Sequence, residues 1–310
     1  MQAAVTAIRR GELVGMPTET VYGLAADALN PAAVARIFSA KGRPTFDPLI
    51  VHIPDPDWAA QIAVMSPRAK RLALACWPGP LTLVVPRMPM IPDLVTSGLD
   101  SVGIRCPAHP MARELMRICG TPLAAPSANL FGRISPTTAD HVREQLGDAV
   151  AVVLDGGPCS VGIESTVLRP DPTPLILRPG GVTRERLEEI LGEPVAVAGR
   201  DDRAEHLPRA SPGMLASHYA PRKPLTIRAP DGAWSTDPQV GILAFRTAPN
   251  LPVTEVLSSA GNLAEAAMGL FAALRRLDAA PVTRIEVEYV PAMGLGLGIN
   301  DRLRRAAGLG

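Results

Sequence analysis

Residues 16–53 read MPTETVYGLAADALNPAAVARIFSAKGRPTFDPLIVHI, and the rest of the chain is read outward from them. The stretch opens on a polar turn, Pro17-Thr18-Glu19-Thr20, directly after an apolar strand candidate over 13–16. Asn30 then caps a helix predicted over 30–40, with Pro31 at its first helical position. That helix runs into Lys41-Gly42-Arg43-Pro44, and a short apolar run, Leu49-Ile50-Val51, closes on His52. Two hydroxyls, a carboxylate, a Lys-x-Arg pair and a histidine therefore fall at element ends, where loops carry sites. Only Lys41, Lys70 and Lys223 are lysines among the 31 basic side chains. A chain that nearly always chooses arginine has placed lysine at 41, which points to a need for a compact ammonium rather than a planar fork.

The length of 310 residues predicts two domains, and 47% apolar residues suffice for their cores. Aromatics are only 4%, so aliphatic and alanine packing must dominate. A net charge of +1 gives no general pull toward nucleic acid. Cys76, Cys106, Cys119 and Cys159 form no C-x-x-C, which argues against zinc and fits idle thiols in a reducing compartment. The start, MQAAVTAIRRGEL, has no apolar stretch of signal length, and no run approaches the ~18 apolar residues of a membrane span. A cytoplasmic protein is expected.

Helices are predicted over 3–10, 68–76 (capped by Ser66), 109–119 (closed by Gly120) and 138–146, with Thr183 capping one that ends at Gly192. Strands are predicted over 81–85, 102–105, 150–154, 166–169 and 175–177, with a short apolar run over 123–125. Several strands follow one another without a helix, which predicts an α/β or α+β layer fold with a twisted, partly antiparallel sheet. Residues 193–224 are rich in Arg, Asp and Pro and read as a linker, yet contain Ser211-Pro212-Gly213-Met214 and Ser217-His218-Tyr219-Ala220-Pro221. Beyond them, strands over 225–228, 241–245 and 284–289, and helices over 262–277 and 297–307, predict a small Rossmann-like α/β domain. The domains are thus 1–192 and 225–310, joined by 193–224. Gly294, Gly296 and Gly298 resemble a dinucleotide fingerprint, but no βαβ unit follows them, which excludes that reading.

No Walker A or kinase signature is present, so any triphosphate must be held by separate groups. Lys41, Arg43, Arg105 and Arg178 each stand at an element end beside Gly or Pro, and Ser127, Asn129, Ser135 and Ser165 add hydroxyls and an amide. Convergent cations in a water-poor site stabilise charge developing on phosphorus, and phosphoryl chemistry needs positioning more than a protein nucleophile. The set suits nucleotidyl transfer.

The pieces PTETVYGL (17–24), KGRP (41–44), PLIVHI (48–53), GIRCP (103–107), APSANLFGRISPT (125–137), STV (165–167), RPG (178–180) and SHYAP (217–221) together resemble the threonylcarbamoyl-AMP synthases. The likeness is to the two-domain form, with a YrdC-like catalytic domain. It implies an open twisted mixed sheet around a large concave cavity, with the linker folded over a nucleotide pocket. It implies a reaction in which L-threonine and bicarbonate or CO2 give N-carboxy-threonine, whose carboxylate attacks the α-phosphorus of ATP. Pyrophosphate leaves, and Mg²⁺ travels with ATP without direct protein ligands. The unstable product would pass to a tRNA-modifying transferase complex.

By the same resemblance, Thr20, His52, Arg105 and Ser165 contact threonine, with Arg105 pairing its carboxylate. Lys41 and Arg43 hold phosphates and the carbamate as catalytic groups. Asp47, Ser101, Ala125, Ser127, Asn129, Ser135, Arg178 and Tyr219 lie around ATP, and Asn129 binds ATP or its metal. The family commonly has Asn at the position of Asp47, and an anion there needs a metal or an arginine between it and the triphosphate. It often has Asn-Arg-Leu where this chain has Asp301-Arg302-Leu303, to which no role is assigned. Glu19 reads as a structural acceptor for loop amides or a base for the threonine amine. His218 reads as a phosphate contact or a support for Tyr219, and His109 and His141 as solvated helix residues. Two rivals are an RNA-binding module without chemistry, disfavoured by the charge balance, and a carbamoyl-adenylate enzyme with another acceptor.

Overall fold

The structure is a computed structural model and describes residues 1–199 and 218–309. The Ser211–Met214 segment and Ser217 lie outside the described residues. Local chemistry sets most helix ends. Asn30 accepts from the backbone N–H groups of Ala32 and Ala33, Pro31 opens helix Pro31–Lys41, and Gly42 ends it in the left-handed conformation at φ 60°. The helix is one residue longer than read, so Lys41 is its last residue. Ser66, Thr138 and Thr183 cap their helices through their hydroxyls, and Asn262 caps Leu263–Ala279 through its amide oxygen. Residue 109 proves to be a cap too: His109 Nδ1 accepts from Met111 N ahead of Pro110–Cys119.

Ten strands form the first sheet: β1 Val14–Met16, β2 Gly23–Asp27, β3 Ile50–His52, β4 Leu81–Pro86, β5 Ser101–Arg105, β6 Leu123–Ala124, β7 Val152–Val153, β8 Thr166–Arg169, β9 Leu175–Arg178 and β10 Ala196–Val197. Their order is β10-β9-β8-β4-β5-β3-β6-β2-β1-β7, with parallel and antiparallel neighbours mixed. This is the open mixed sheet that the sequence predicts. One apolar cluster packs helices Pro31–Lys41, Pro67–Cys76 and Arg184–Leu191 on it, and a second seats Gln2–Arg9 and Pro110–Cys119. Three details differ from the sequence reading. β2 was not foreseen, because Gly-Leu-Ala-Ala-Asp has no β-branched residue; burial, not propensity, makes it a strand. The strand expected over 150–154 shrinks to half-buried Val152–Val153 at the sheet edge. β10 falls within the stretch read as linker and pairs with β9.

The C-terminal sheet is wholly parallel, ordered β11 (Leu225–Ile227), β14 (Arg284–Val287), β12 (Val240–Ala244), β13 (Thr254–Val256). β13 adds one strand to the three expected in the Rossmann-like domain. Its core, built on Leu263–Ala279 and Gly296–Ala306, also takes in Val21, Ile134 and Ile163 of the first domain. Among the described residues, no helix is long and apolar enough to cross a membrane.

Candidate active site

Strand pairing itself gathers the expected residues. In the parallel register of β3 and β5, His52 lies opposite Arg105, so the last residues of two strands share one sheet end. Ser165 stands just before β8, and Arg178 ends β9 opposite Val167. These strand ends, the turn at Thr18–Thr20 and the segment Ala125–Ser127 enclose a narrow cavity, roofed by His218 and Tyr219. A wider cleft lies between the domains beside Arg133, His141 and Arg275, and holds none of the expected site residues. His141 is half-buried there rather than solvated. Burial, with Arg275 nearby, pushes it down to about 4.

At one end of the cavity Arg105 is locked. Its Nε donates to Gly79 O, its Nη1 donates to Thr20 Oγ1 at 2.8 Å, and its Nη2 lies 2.6 Å from Glu19 Oε1. Glu19 also accepts from Ala108 N, so it is the structural acceptor of its two readings. Thr18 donates its hydroxyl proton to Val21 O, leaving it to accept from Thr20 Oγ1 at 2.9 Å. The Thr20 proton is thereby committed, and what Thr20 can offer a ligand is a lone pair.

His52 Nδ1 has no hydrogen-bond partner among the described residues. Burial pushes His52 down to about 3, and Arg105 adds to the effect, so the ring is neutral. The unfolded chain protonates this ring near pH ~6.5, well above the folded protein. Stability therefore falls with pH through that window, by about 1.4 kcal/mol per unit from this group. Urea unfolding at pH 7 and pH 5 tests this: His52→Gln is expected to lose less stability between the two than wild type, by about 2 kcal/mol. Equal losses would mean that the folded state does not hold His52 neutral.

The other end of the cavity is cationic. Arg43 and Arg178 line it; Lys41 does not, but is buried behind Ser127, where its Nζ donates to the carbonyls of Ser127 and Asn129. Burial chiefly, and Arg43 next, hold its pKa well below the usual lysine range. Arg43 donates to the carbonyls of Asp47 and Pro48 and pairs with the Asp47 carboxylate at 2.9 Å. Asp47 is fully buried behind it and does not line the cavity, so an arginine does stand between this anion and the cavity. Arg178 donates to Ser165 O at 3.0 Å and to Ser165 Oγ at 3.3 Å, while Ser165 Oγ and Thr82 Oγ1 are 2.8 Å apart. Burial, and then Arg43, Lys41 and Arg178, keep His218 neutral. The polarity suits anions.

Tyr219 is the roof. Its backbone lies in the left-handed region at φ 63°, where a non-glycine residue costs about 1–3 kcal/mol. The segment is held there by Ala220 N donating to Gly132 O and by ring contacts to His218 and Phe271. Its hydroxyl has no hydrogen-bond partner among the described residues.

Of the other expected ATP contacts, Ala125 and Ser127 line the cavity. Asn129 and Ser135 are buried in its wall: Asn129 Nδ2 donates to Leu130 O and Arg133 O, and Ser135 Oγ donates to Glu164 Oε1. Ser101 opens β5 and lines a separate narrow void with Pro48, Thr96 and Val102. Glu164 lines the cavity and was not foreseen, although it directly precedes Ser165. Among the described residues no group of three or more His, Cys, Asp or Glu side chains could hold a metal. Asn129 Oδ1 is buried without a donor and is a hard oxygen of the kind Mg²⁺ takes.

The model of the Sua5, YciO and YrdC family, described as telomere recombination, matches residues 6–180. The model of the threonylcarbamoyl-AMP synthase C-terminal domain matches residues 182–308. The chain is 42% identical to the threonylcarbamoyl-AMP synthase of Bacillus subtilis, over 98% of this chain and 92% of that one. It is 40% identical to the threonylcarbamoyl-AMP synthase of Pyrococcus abyssi, over 97% and 92% of the two chains. The crystal structure of Pyrococcus abyssi Sua5 complexed with L-threonine matches with a TM-score of 0.90 at 38% identity, over 99% of this chain and 93% of that chain. Fold, cavity and both halves of the sequence thus agree, and the chain belongs to the threonylcarbamoyl-AMP synthase family in its two-domain form.

Proposed function

We propose that this protein makes threonylcarbamoyl-AMP and pyrophosphate from L-threonine, bicarbonate or CO2, and ATP, for the modification of tRNA. The observation that carries the reading is one cavity with two different ends: a locked arginine beside a lone-pair donor, and a separate cluster of buried cations. A relative of this family has been solved with L-threonine.

In this reading Arg105 receives the threonine carboxylate. The Thr20 lone pair accepts from the threonine ammonium or hydroxyl, and neutral His52 and Ser165 complete the pocket. The threonine amine, once deprotonated, joins CO2 to form a carbamate. Lys41 and Arg43 hold that carbamate and the phosphates, and its oxygen displaces pyrophosphate from the α-phosphorus. Arg178, Ser127, Ser135, Ala125 and Tyr219 surround the nucleotide, and Asp47 orients Arg43 from behind. Residues 1–192 carry the chemistry, and the segment 193–224 brings Tyr219 over it from the side of the domain 225–310. Mg²⁺ bound with ATP would offset phosphate charge, with Asn129 as the side chain suited to approach it. The product, a reactive mixed anhydride, requires an acceptor enzyme of the tRNA-modifying class in the same compartment, which for this chain is the cytoplasm.

Pyrophosphate release from ATP with Mg²⁺, with threonine and bicarbonate omitted singly, tests this. Release is expected only when both are present. Release without bicarbonate would indicate an ordinary amino-acid adenylate, and salt-dependent RNA binding without any release would revive the binding module.

A further inference from the structure

Among the described residues, Arg302 is the largest fully buried side chain, and the reaction above does not use it. It comes from the last helix of the C-terminal domain, Gly296–Ala306, and crosses into the first domain. Its Nε donates to Glu164 Oε2 at 2.9 Å, and its Nη1 donates to the carbonyl of Pro179, the residue after Arg178. Its guanidinium lies 5.4 Å from the centre of the Tyr219 ring. Asp301 pairs with it at 3.2 Å from the other side. Glu164 carries the contact onward. Its second oxygen accepts the Ser135 hydroxyl, and its carboxylate lines the cavity.

The two domains meet closely at a glycine of each, Gly298 and Gly180. A Cβ on Gly298 would meet Gly180 Cα at 3.2 Å, and one on Gly180 would lie 2.2 Å from the Glu164 carbonyl. The glycines that resembled a nucleotide fingerprint therefore include one that packs backbone on backbone, at the point where Arg302 reaches Glu164. Burial pushes Glu164 up, but Arg302 and Arg178 outweigh it and hold the carboxyl below the usual range. Glu164 is thus an acceptor only, and it takes the one proton of Ser135.

We propose that Arg302 is a positioning residue by which the C-terminal domain sets the nucleotide side of the cavity, through Glu164 to Ser135 and through the Tyr219 ring to the roof. The inference rests on the reading of Ser135 and Tyr219 as nucleotide-side residues. Removing the guanidinium leaves Glu164 buried without its main counter-charge, whereas removing both charges does not.

The test uses the full chain and measures KM for ATP, KM for threonine, equilibrium ATP binding and thermal melting. Arg302→Met is expected to raise KM for ATP about 10-fold or more and to leave KM for threonine within about 2-fold. The double variant Arg302→Met/Glu164→Gln is expected to recover part of that loss. Arg302→Lys, which keeps the charge without the fork, is expected to melt near wild type and still bind ATP more weakly. Wild-type ATP binding in Arg302→Lys, equal rises in both KM values, or a double variant no better than Arg302→Met would each overturn the proposal. Ser135→Ala separates the two levels. Unchanged ATP affinity there overturns the nucleotide-side assignment and the relay with it, while weakened affinity there beside a wild-type Arg302→Lys overturns Arg302 alone.

Discussion

Arg105→Ala is expected to lower kcat/KM for threonine by about 10²–10³-fold and to leave ATP affinity within about 2-fold of wild type. The size follows from what the guanidinium does. It is the proposed receptor for a carboxylate, and charge-assisted hydrogen bonds each contribute about 1.5–3 kcal/mol. It is also held ready by Gly79, Thr20 and Glu19, so no ordering cost is left to offset that gain. Alanine would also leave Glu19 buried without its cation, with only Ala108 N still donating to it. Arg105→Lys is not expected to rescue, because one ammonium cannot satisfy Gly79, Thr20 and Glu19 and still meet a carboxylate in two places. The selectivity follows from the contacts: among the described residues, Arg105 shares none of its hydrogen-bond partners with Lys41, Arg43 or Arg178. Pyrophosphate release against threonine concentration, with direct ATP binding alongside, decides it. Equal loss of threonine and ATP binding would mean that the cavity is not divided in this way.

Much of this site was legible because it is local. Caps, strand ends and glycine stops are set by a few neighbouring residues, so the helices around Asn30, Ser66 and Thr183 were read nearly to the residue. What was missed is non-local. The carboxylate of Glu164, among the cationic residues of the cavity, is explained only by Arg302, 138 residues later, which pairs with it. Asp301-Arg302-Leu303 had no assignable role for the same reason. The anion at Asp47 is likewise explained only once the Arg43 guanidinium is seen lying against it. His141 was read as solvated from its own helix alone, whereas the cleft over it is completed by Arg275 and Ala272 of the C-terminal domain. Ser101, which the resemblance implies at ATP, lines a narrow void with Thr96 and Val102.

Lys41→Ala is expected to lower kcat by about 10²–10³-fold, the usual consequence of removing one preorganised group that stabilises transition-state charge. Lys41→Arg is expected to recover little of it, although charge is restored. Once protonated, the Lys41 amine has three protons, of which two go to the carbonyls of Ser127 and Asn129 and one is left for a phosphate or carbamate oxygen. A guanidinium is wider and planar, and from this buried position it cannot direct one proton to each of those two carbonyls in the ammonium's geometry and still meet the ligand. Binding should also carry a proton signature. Burial and Arg43 hold the Lys41 pKa low in the free protein, and burial with Arg43, Lys41, Arg178 and Arg305 nearby keeps His218 neutral. Bound phosphates favour the protonated form of both, so ATP binding takes up protons, and affinity declines as pH rises past the free-protein values. Titration calorimetry in two buffers of different ionisation heat reads that uptake directly. It should be present in wild type and diminished in Lys41→Ala. Uptake unchanged by the substitution would assign the signature to His218 and show that Lys41 binds nucleotide without changing its protonation. A chain that nearly always uses arginine would then have chosen lysine at this position for its shape alone.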